Sequence, residues 1–161
     1  MSTELPLYRQ QKDNTCALAC LRMVLAAYGT DVKESTLEAQ AHMEPDGTDI
    51  GELERLAQQF GLVAEIQEVT TGQLRQLLAE GKRALAYIDR AVFDLPPARR
   101  AHLHLRDAEI HVVVPTRITA ASVTFHDPLP PRITRKSIRL FRLAYERLGS
   151  HCVVCSNPEE A

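Results

Sequence analysis

Apolar positions follow two regimes along the chain. Up to about residue 90 they recur mostly at helical spacing, and from residue 109 they fall mostly into short β-branched blocks. The run Thr15–Tyr28 (TCALACLRMVLAAY) is apolar on nearly every side. That predicts a buried helix, stopped by Gly29 and capped from among Asp13, Asn14 and Thr15. A short helix is predicted over Ser35–Met43, then a turn in EPDGTD. Thr48 or Asp49 caps a third helix through Phe60, with Ile50, Leu53, Leu56, Ala57 and Phe60 on one face and Gly61 ending it. Leu62–Val69 alternates like an edge strand. Thr71 opens a fourth helix closed by Gly81, and RALAYID reads as a strand.

Val92–Asp107 has no clean period and holds Pro96, Pro97, His102 and His104. It is expected to be a long surface loop, of the kind that covers a functional cleft. EIHVVVP and SVTFHD then read as two buried strands joined by a turn at TRITAA, with HDPLPP closing the second. RKSIRLFRLAYERLG reads as helical or mixed, SHCVVCS as a final strand, and NPEEA as a frayed tail. Helices first and antiparallel strands later give an α+β fold in one domain spanning residues 1–161, the helical half packed against the sheet.

Composition narrows the function classes. The 161 residues carry a formal net charge of −2, so no general basic field is present to hold a phosphate backbone, and nucleic acid is not the expected partner. Arg99–Arg100 and the basic run Arg132–Arg147 read as a solvated face. No apolar run reaches membrane-spanning length, and MSTELPLYRQQKDN does not read as a secretory signal, so a cytoplasmic location is expected. The four cysteines, Cys16, Cys20, Cys152 and Cys155, are then expected as thiols. A four-cysteine zinc site is the weaker reading, because Cys20 lies in an apolar helical run and Cys152 and Cys155 flank two valines. His102 and His104 form an H-x-H pair with no third ligand at a convincing spacing.

Cys16 stands in the first turn of the buried helix. Unpaired N–H groups and the positive end of the helix dipole favour a thiolate there. By itself a cysteine at a helix start is most often a small buried hydrophobe. Its company changes the reading. His111 opens one strand and Asp127 ends the next, sixteen residues on, so a hairpin brings the two together. The carboxylate can then fix the imidazole tautomer and leave the second ring nitrogen for Cys16. Gln10 and Gln11, six and five residues before Cys16, can place an amide beside the Cys16 N–H, and two donors so placed make an oxyanion hole.

These stretches resemble the bacteriocin-processing peptidases, papain-like domains that remove double-glycine leaders and are often fused to export transporters, and their free-standing relatives. QQKDNTCALACLRMVLAAYG is similar to the family's glutamine–cysteine helix, DGTDIGELERLAQQFGL to its second helix, IHVVVP to its histidine strand and FHDP to its aspartate–proline element. Where the family usually has glycine after the cysteine, this chain has Ala17. The resemblance implies a papain-like fold and a free-standing cysteine peptidase. Its nucleophile would be Cys16, its acid–base group His111 and its orienting group Asp127, with Gln10 or Gln11 in the oxyanion hole. It also implies a peptide or protein substrate and no cofactor or metal. The same first half-reaction serves thiol-dependent amidases and acyltransferases, and a degenerate peptidase fold can serve as a binding module; residue types alone do not separate these.

Overall fold

The structure, a computed structural model, describes residues 4–100 and 108–160. The helical half holds α1 (Cys16–Ala27), α2 (Glu34–Gln40), α3 (Ile50–Gln59) and α4 (Thr71–Ala79). Strands β1 (Val63–Glu68) and β2 (Arg83–Asp89) lie to either side of α4. Two single-turn helices follow, α5 (Ala91–Asp94) and α6 (Pro97–Arg100). Then come β3 (Ile110–Ile118), β4 (Ser122–Pro128), β5 (Pro131–Ser137), α7 (Ile138–Glu146), β6 (His151–Ser156) and a terminal 3-10 turn. The six strands form one antiparallel sheet in the order β1-β6-β2-β3-β4-β5. The fold is α+β and papain-like, with β1 at an edge as its loose alternation predicts.

Strand alternation splits the core in two. On β2, Leu85 and Tyr87 join the cluster built on α1 and α3, while Ala84, Ala86 and Ile88 join the one built on α4, α5 and α7. α1 is the centre of the first layer, and Leu18, Leu21, Met23 and Leu25 have no exposed surface. Each is worth about 1.5–3 kcal/mol of burial. Gly29 ends α1 at φ +94°, a conformation that favours glycine. Asp49 rather than Thr48 caps α3, accepting from the N–H groups of Gly51 and Glu52.

Two sequence expectations are corrected. Residues 131–137 form a strand, β5, where a closing turn and the start of a helix were expected. β5 is an edge strand whose side chains are mostly exposed and include Arg132, Arg135 and Lys136, so it carries no apolar alternation to reveal it. Residues 91–100 are not a loop over the Cys16 side of the sheet. Val92 is fully buried in the opposite layer, and Phe93 stacks on Phe125 at 5.9 Å, so apolar contacts hold this segment against the α7 side. The rest of the expected loop, residues 101–107 with His102 and His104, lies outside the described residues.

Asp89, fully buried at the end of β2, ties both ends of this excursion to the sheet. Its Oδ1 accepts from Ala91 N–H at 3.0 Å and Glu109 N–H at 2.9 Å, and its Oδ2 meets Arg147 Nε at 2.7 Å. Arg90 N–H donates to Glu109 C=O at 2.8 Å. Removing one partner of such a buried pair typically costs about 3–5 kcal/mol. The clamp fixes where β3 begins, and His111 is its second residue.

Candidate active site

Cys16 is the first residue of α1 and is half-buried, whereas the other three cysteines have no exposed surface. Its backbone N–H is among the first-turn donors that a helix leaves unpaired. Thr15 occupies the cap position, but its hydroxyl serves the preceding turn instead, accepting from Lys12 N–H and lying 3.0 Å from Lys12 C=O. Ala17 is buried in the α1 core cluster, so its methyl points into the fold.

The β3–β4 hairpin pairs Val114 with His126, which carries Asp127 to within reach of His111. His111 Nε2 lies 2.8 Å from Asp127 Oδ1, and both residues are buried. The same carboxylate oxygen accepts Leu129 N–H at 2.9 Å, which fixes its orientation from a second side. The Cys16 side chain stands close enough to His111 to raise its imidazole. Since Nε2 is taken by Asp127, Nδ1 is the nitrogen left for sulfur. Burial is the largest influence on His111 and works against its charge. The bond to Asp127 and the electrostatic pull of Asp127 and the Cys16 side chain outweigh it and lift the imidazole from its ordinary 6.5 to about 9. The neighbouring His126 turns away, its Nδ1 lying 3.0 Å from Pro6 C=O.

The two glutamines are placed differently. Gln11 is exposed. Gln10 is buried, and its backbone N–H donates to Pro128 C=O at 3.0 Å, so the segment before Cys16 is stitched to the residue after Asp127. The Gln10 Nε2 group donates to Lys12 C=O at 2.8 Å and to Asp13 C=O at 3.2 Å. Its Oε1 is buried with no hydrogen-bond partner among the described residues. The reverse amide orientation would aim Oε1 at two carbonyl oxygens, so the neighbours fix which end is which.

Sequence reasoning missed the groups around this centre, because they come from distant segments. A cavity of about 310 Å³ is lined by Ile50, Tyr87, Ile110 and Leu148, with Glu44 and Asp46 among its polar residues. Ile110 adjoins His111, and Asn14 Nδ2 donates to Pro45 C=O at 3.4 Å, holding the turn Glu44–Gly47 beside the start of α1. Tyr87 donates from its hydroxyl to Thr48 C=O at 2.9 Å; burial, then the proximity of Cys16, Asp49 and Cys20, push its phenol up. A larger hollow of about 460 Å³, between Arg100 and α7, lies in the opposite layer. The four cysteines do not converge: Cys155 lies in the α1 layer and Cys152 in the α7 layer. Among the described residues no group of three or more metal-ligating side chains comes together. No described helix is long and apolar enough to cross a membrane.

Solved structures share the fold. A double glycine motif protease from an AMS/PCAT transporter, in complex with the leader peptide, superposes with a TM-score of 0.71 at 16% identity, covering 96% of this chain and 92% of that one. A C39-like peptidase from Bacillus anthracis gives 0.76 at 16% identity, with 96% and 95% covered. The peptidase domain of Streptococcus ComA, a bi-functional ABC transporter of a quorum-sensing pathway, gives 0.70 at 15% identity, with 96% and 99% covered. No curated protein matches the chain significantly. The family model of the peptidase C39 family matches residues 4–93, which include both glutamines and Cys16; His111 and Asp127 lie beyond it. With more than half of its length matched, the chain belongs to the peptidase C39 family.

Proposed function

We propose that the protein is a cysteine peptidase that hydrolyses a peptide bond through Cys16, His111 and Asp127. The observation that carries this reading is the buried His111–Asp127 hydrogen bond with the Cys16 side chain beside the imidazole, its sulfur at a helix start. A raised imidazole beside sulfur favours a thiolate–imidazolium pair over a neutral pair. The Cys16 thiolate attacks the scissile carbonyl carbon. The oxyanion that forms takes hydrogen bonds from the Cys16 N–H and from Gln10 Nε2, which releases its longer bond, to Asp13 C=O. Collapse expels the amine, which takes the proton from His111 Nδ1. Water then attacks the thioester, His111 takes its proton, and the acid leaves as the thiolate is restored.

Gln10 is assigned in preference to Gln11 because only Gln10 is buried beside the turn leading to Cys16. The substrate lies along the cavity floored by Tyr87 and Ile110, which opens beside the start of α1 and takes an apolar side chain. A peptide with a double-glycine leader is the first substrate to try, given the family and the leader-bound relative. Four free cysteines suit a reducing compartment, and we place the activity in the cytoplasm.

Product masses test the reaction class. Incubated with a synthetic Gly-Gly leader peptide, the protein should give two fragments whose masses sum to substrate plus one water. A fragment carrying an added amine would make it an acyltransferase. An uncut peptide, with Cys16 no more reactive than free cysteine, would leave a binding module.

A further inference from the structure

Glu34, the first residue of α2, is only 2% exposed, and nothing in its sequence surroundings marks it. Its carboxylate is turned toward the segment that leads into α1. Oε1 and Oε2 lie 3.2 and 3.1 Å from Gln11 N and share its N–H. The Thr15 hydroxyl, which is bonded to Lys12, stands close enough to the same carboxylate to favour its charge, and Arg22 attracts it from α1. Glu38, which repels it, is occupied by Lys12. One side chain therefore holds the start of the Gln11–Thr15 segment and stands beside its end, the segment being the whole of the chain between the oxyanion donor and the nucleophile. Burial pushes the Glu34 carboxyl up, against the opposing pull of Gln11 and Thr15, so this anion is kept in the fold at a cost.

Two exposed side-chain contacts leave the segment, Lys12 Nζ to Glu38 and Asn14 Nδ2 to Pro45 C=O, and its other side-chain bonds are internal. Thr15 and Lys12 bond each other, and Gln10 Nε2 bonds Lys12 and Asp13. Such a turn keeps its own shape but can swing as a unit. Its backbone is anchored from outside by the Gln10 N–H bond to Pro128 C=O on one side and the Gln11 N–H bond to Glu34 on the other. We propose that Glu34 is the positioning residue of the oxyanion hole: by accepting the Gln11 N–H it fixes the backbone that carries Gln10, and so sets where the Gln10 amide stands relative to the Cys16 N–H. The inference rests on the Cys16–His111–Asp127 reading above and adds to it a residue that never touches substrate.

Two mild variants separate reach from charge. Glu34→Asp keeps the anion beside Arg22 but stops short of Gln11 by one methylene, about 1.5 Å. Glu34→Gln keeps the reach and an acceptor oxygen but loses the charge. With the Gly-Gly leader peptide as substrate, Glu34→Asp should lower kcat about tenfold or more at unchanged KM, since a misplacement of this size can cost up to about a hundredfold. Glu34→Gln should stay close to wild type. In a Gln10→Ala background, Glu34→Asp should cause no further loss, because its effect runs through Gln10. Alkylation of Cys16 by iodoacetamide forms no oxyanion, so its rate should be that of wild type in both variants. The proposal is overturned if Glu34→Asp keeps full kcat, if Glu34→Gln loses as much as Glu34→Asp, or if the loss adds to that of Gln10→Ala. A wild-type protein that neither cuts the peptide nor alkylates rapidly at Cys16 overturns the triad and this inference together. An active wild type with an indifferent Glu34 overturns only the inference.

Discussion

Replacing Cys16 by alanine is expected to lower kcat for peptide cleavage by about a millionfold while the protein melts at the wild-type temperature. Sulfur is the only group in the site that can form the acyl intermediate. Cys20, one helical turn along, has no exposed surface, and its Sγ is 3.3 Å from Val112 C=O. Burial, then the charges of Cys16, Asp127 and Glu34, push its thiol well above the ordinary range. It cannot deputise. What remains in the variant is the oxyanion hole and substrate binding, worth about 10³–10⁴-fold over water. Stability is spared because alanine is the best helix former and Cys16 is only half-buried. Kinetics with the leader peptide, beside a thermal melt, check both halves. Residual cleavage within about a hundredfold of wild type would place the nucleophile elsewhere.

Asp127→Ala is the second large effect, a fall in kcat of about 10⁴-fold. The carboxylate holds His111 at 2.8 Å and is itself held by Leu129 N–H at 2.9 Å. Alanine frees the ring and leaves a backbone donor unpaired. Asp127→Asn is the informative companion, because its carbonyl oxygen can still accept from Nε2 while the charge is gone. It should keep more activity, with the alkaline limb of the pH profile moved from near 9 toward the ordinary 6.5 of histidine. The stability sign follows from the same shift. His111 has its folded value raised, so its contribution is full below 6.5 and is lost as pH rises through about 9. A melting temperature that falls over that window in wild type but not in Asp127→Asn is the expected pattern. An alkaline limb unmoved in Asp127→Asn would dissociate Asp127 from the titration of His111.

Much of this was legible in the sequence because it is local. The helix at Cys16 announces itself by an unbroken apolar run, Asp49 and Gly61 bracket α3 by cap chemistry, and two β-branched blocks sixteen residues apart at His111 and Asp127 imply a hairpin. What stayed hidden is non-local or lacks a period. β5 presents basic side chains to solvent and has no apolar face. Val92 and Phe93 sit among prolines and charges, yet they bury in the α7 layer. The choice between Gln10 and Gln11 depends on which of them faces inward, and adjacent residues of a polar stretch give no sign of that. Glu34 reaches Gln11 across 23 positions, and Tyr87 and Ile110 meet Ile50 and Leu148 only because β2, β3, α3 and the α7–β6 connection converge.

The most direct test of the central claim is the rate of iodoacetamide alkylation at pH 6, followed by intact mass and site mapping, in wild type and His111→Ala. Cys16 alone should label, since Cys20, Cys152 and Cys155 have no exposed surface and burial pushes the last two to about 11 and about 12. The account predicts one adduct on Cys16, formed about tenfold or more faster than on free cysteine, and a rate that collapses in His111→Ala. A Cys16 that labels no faster than free cysteine, or a rate that does not change when His111 is removed, would contradict it.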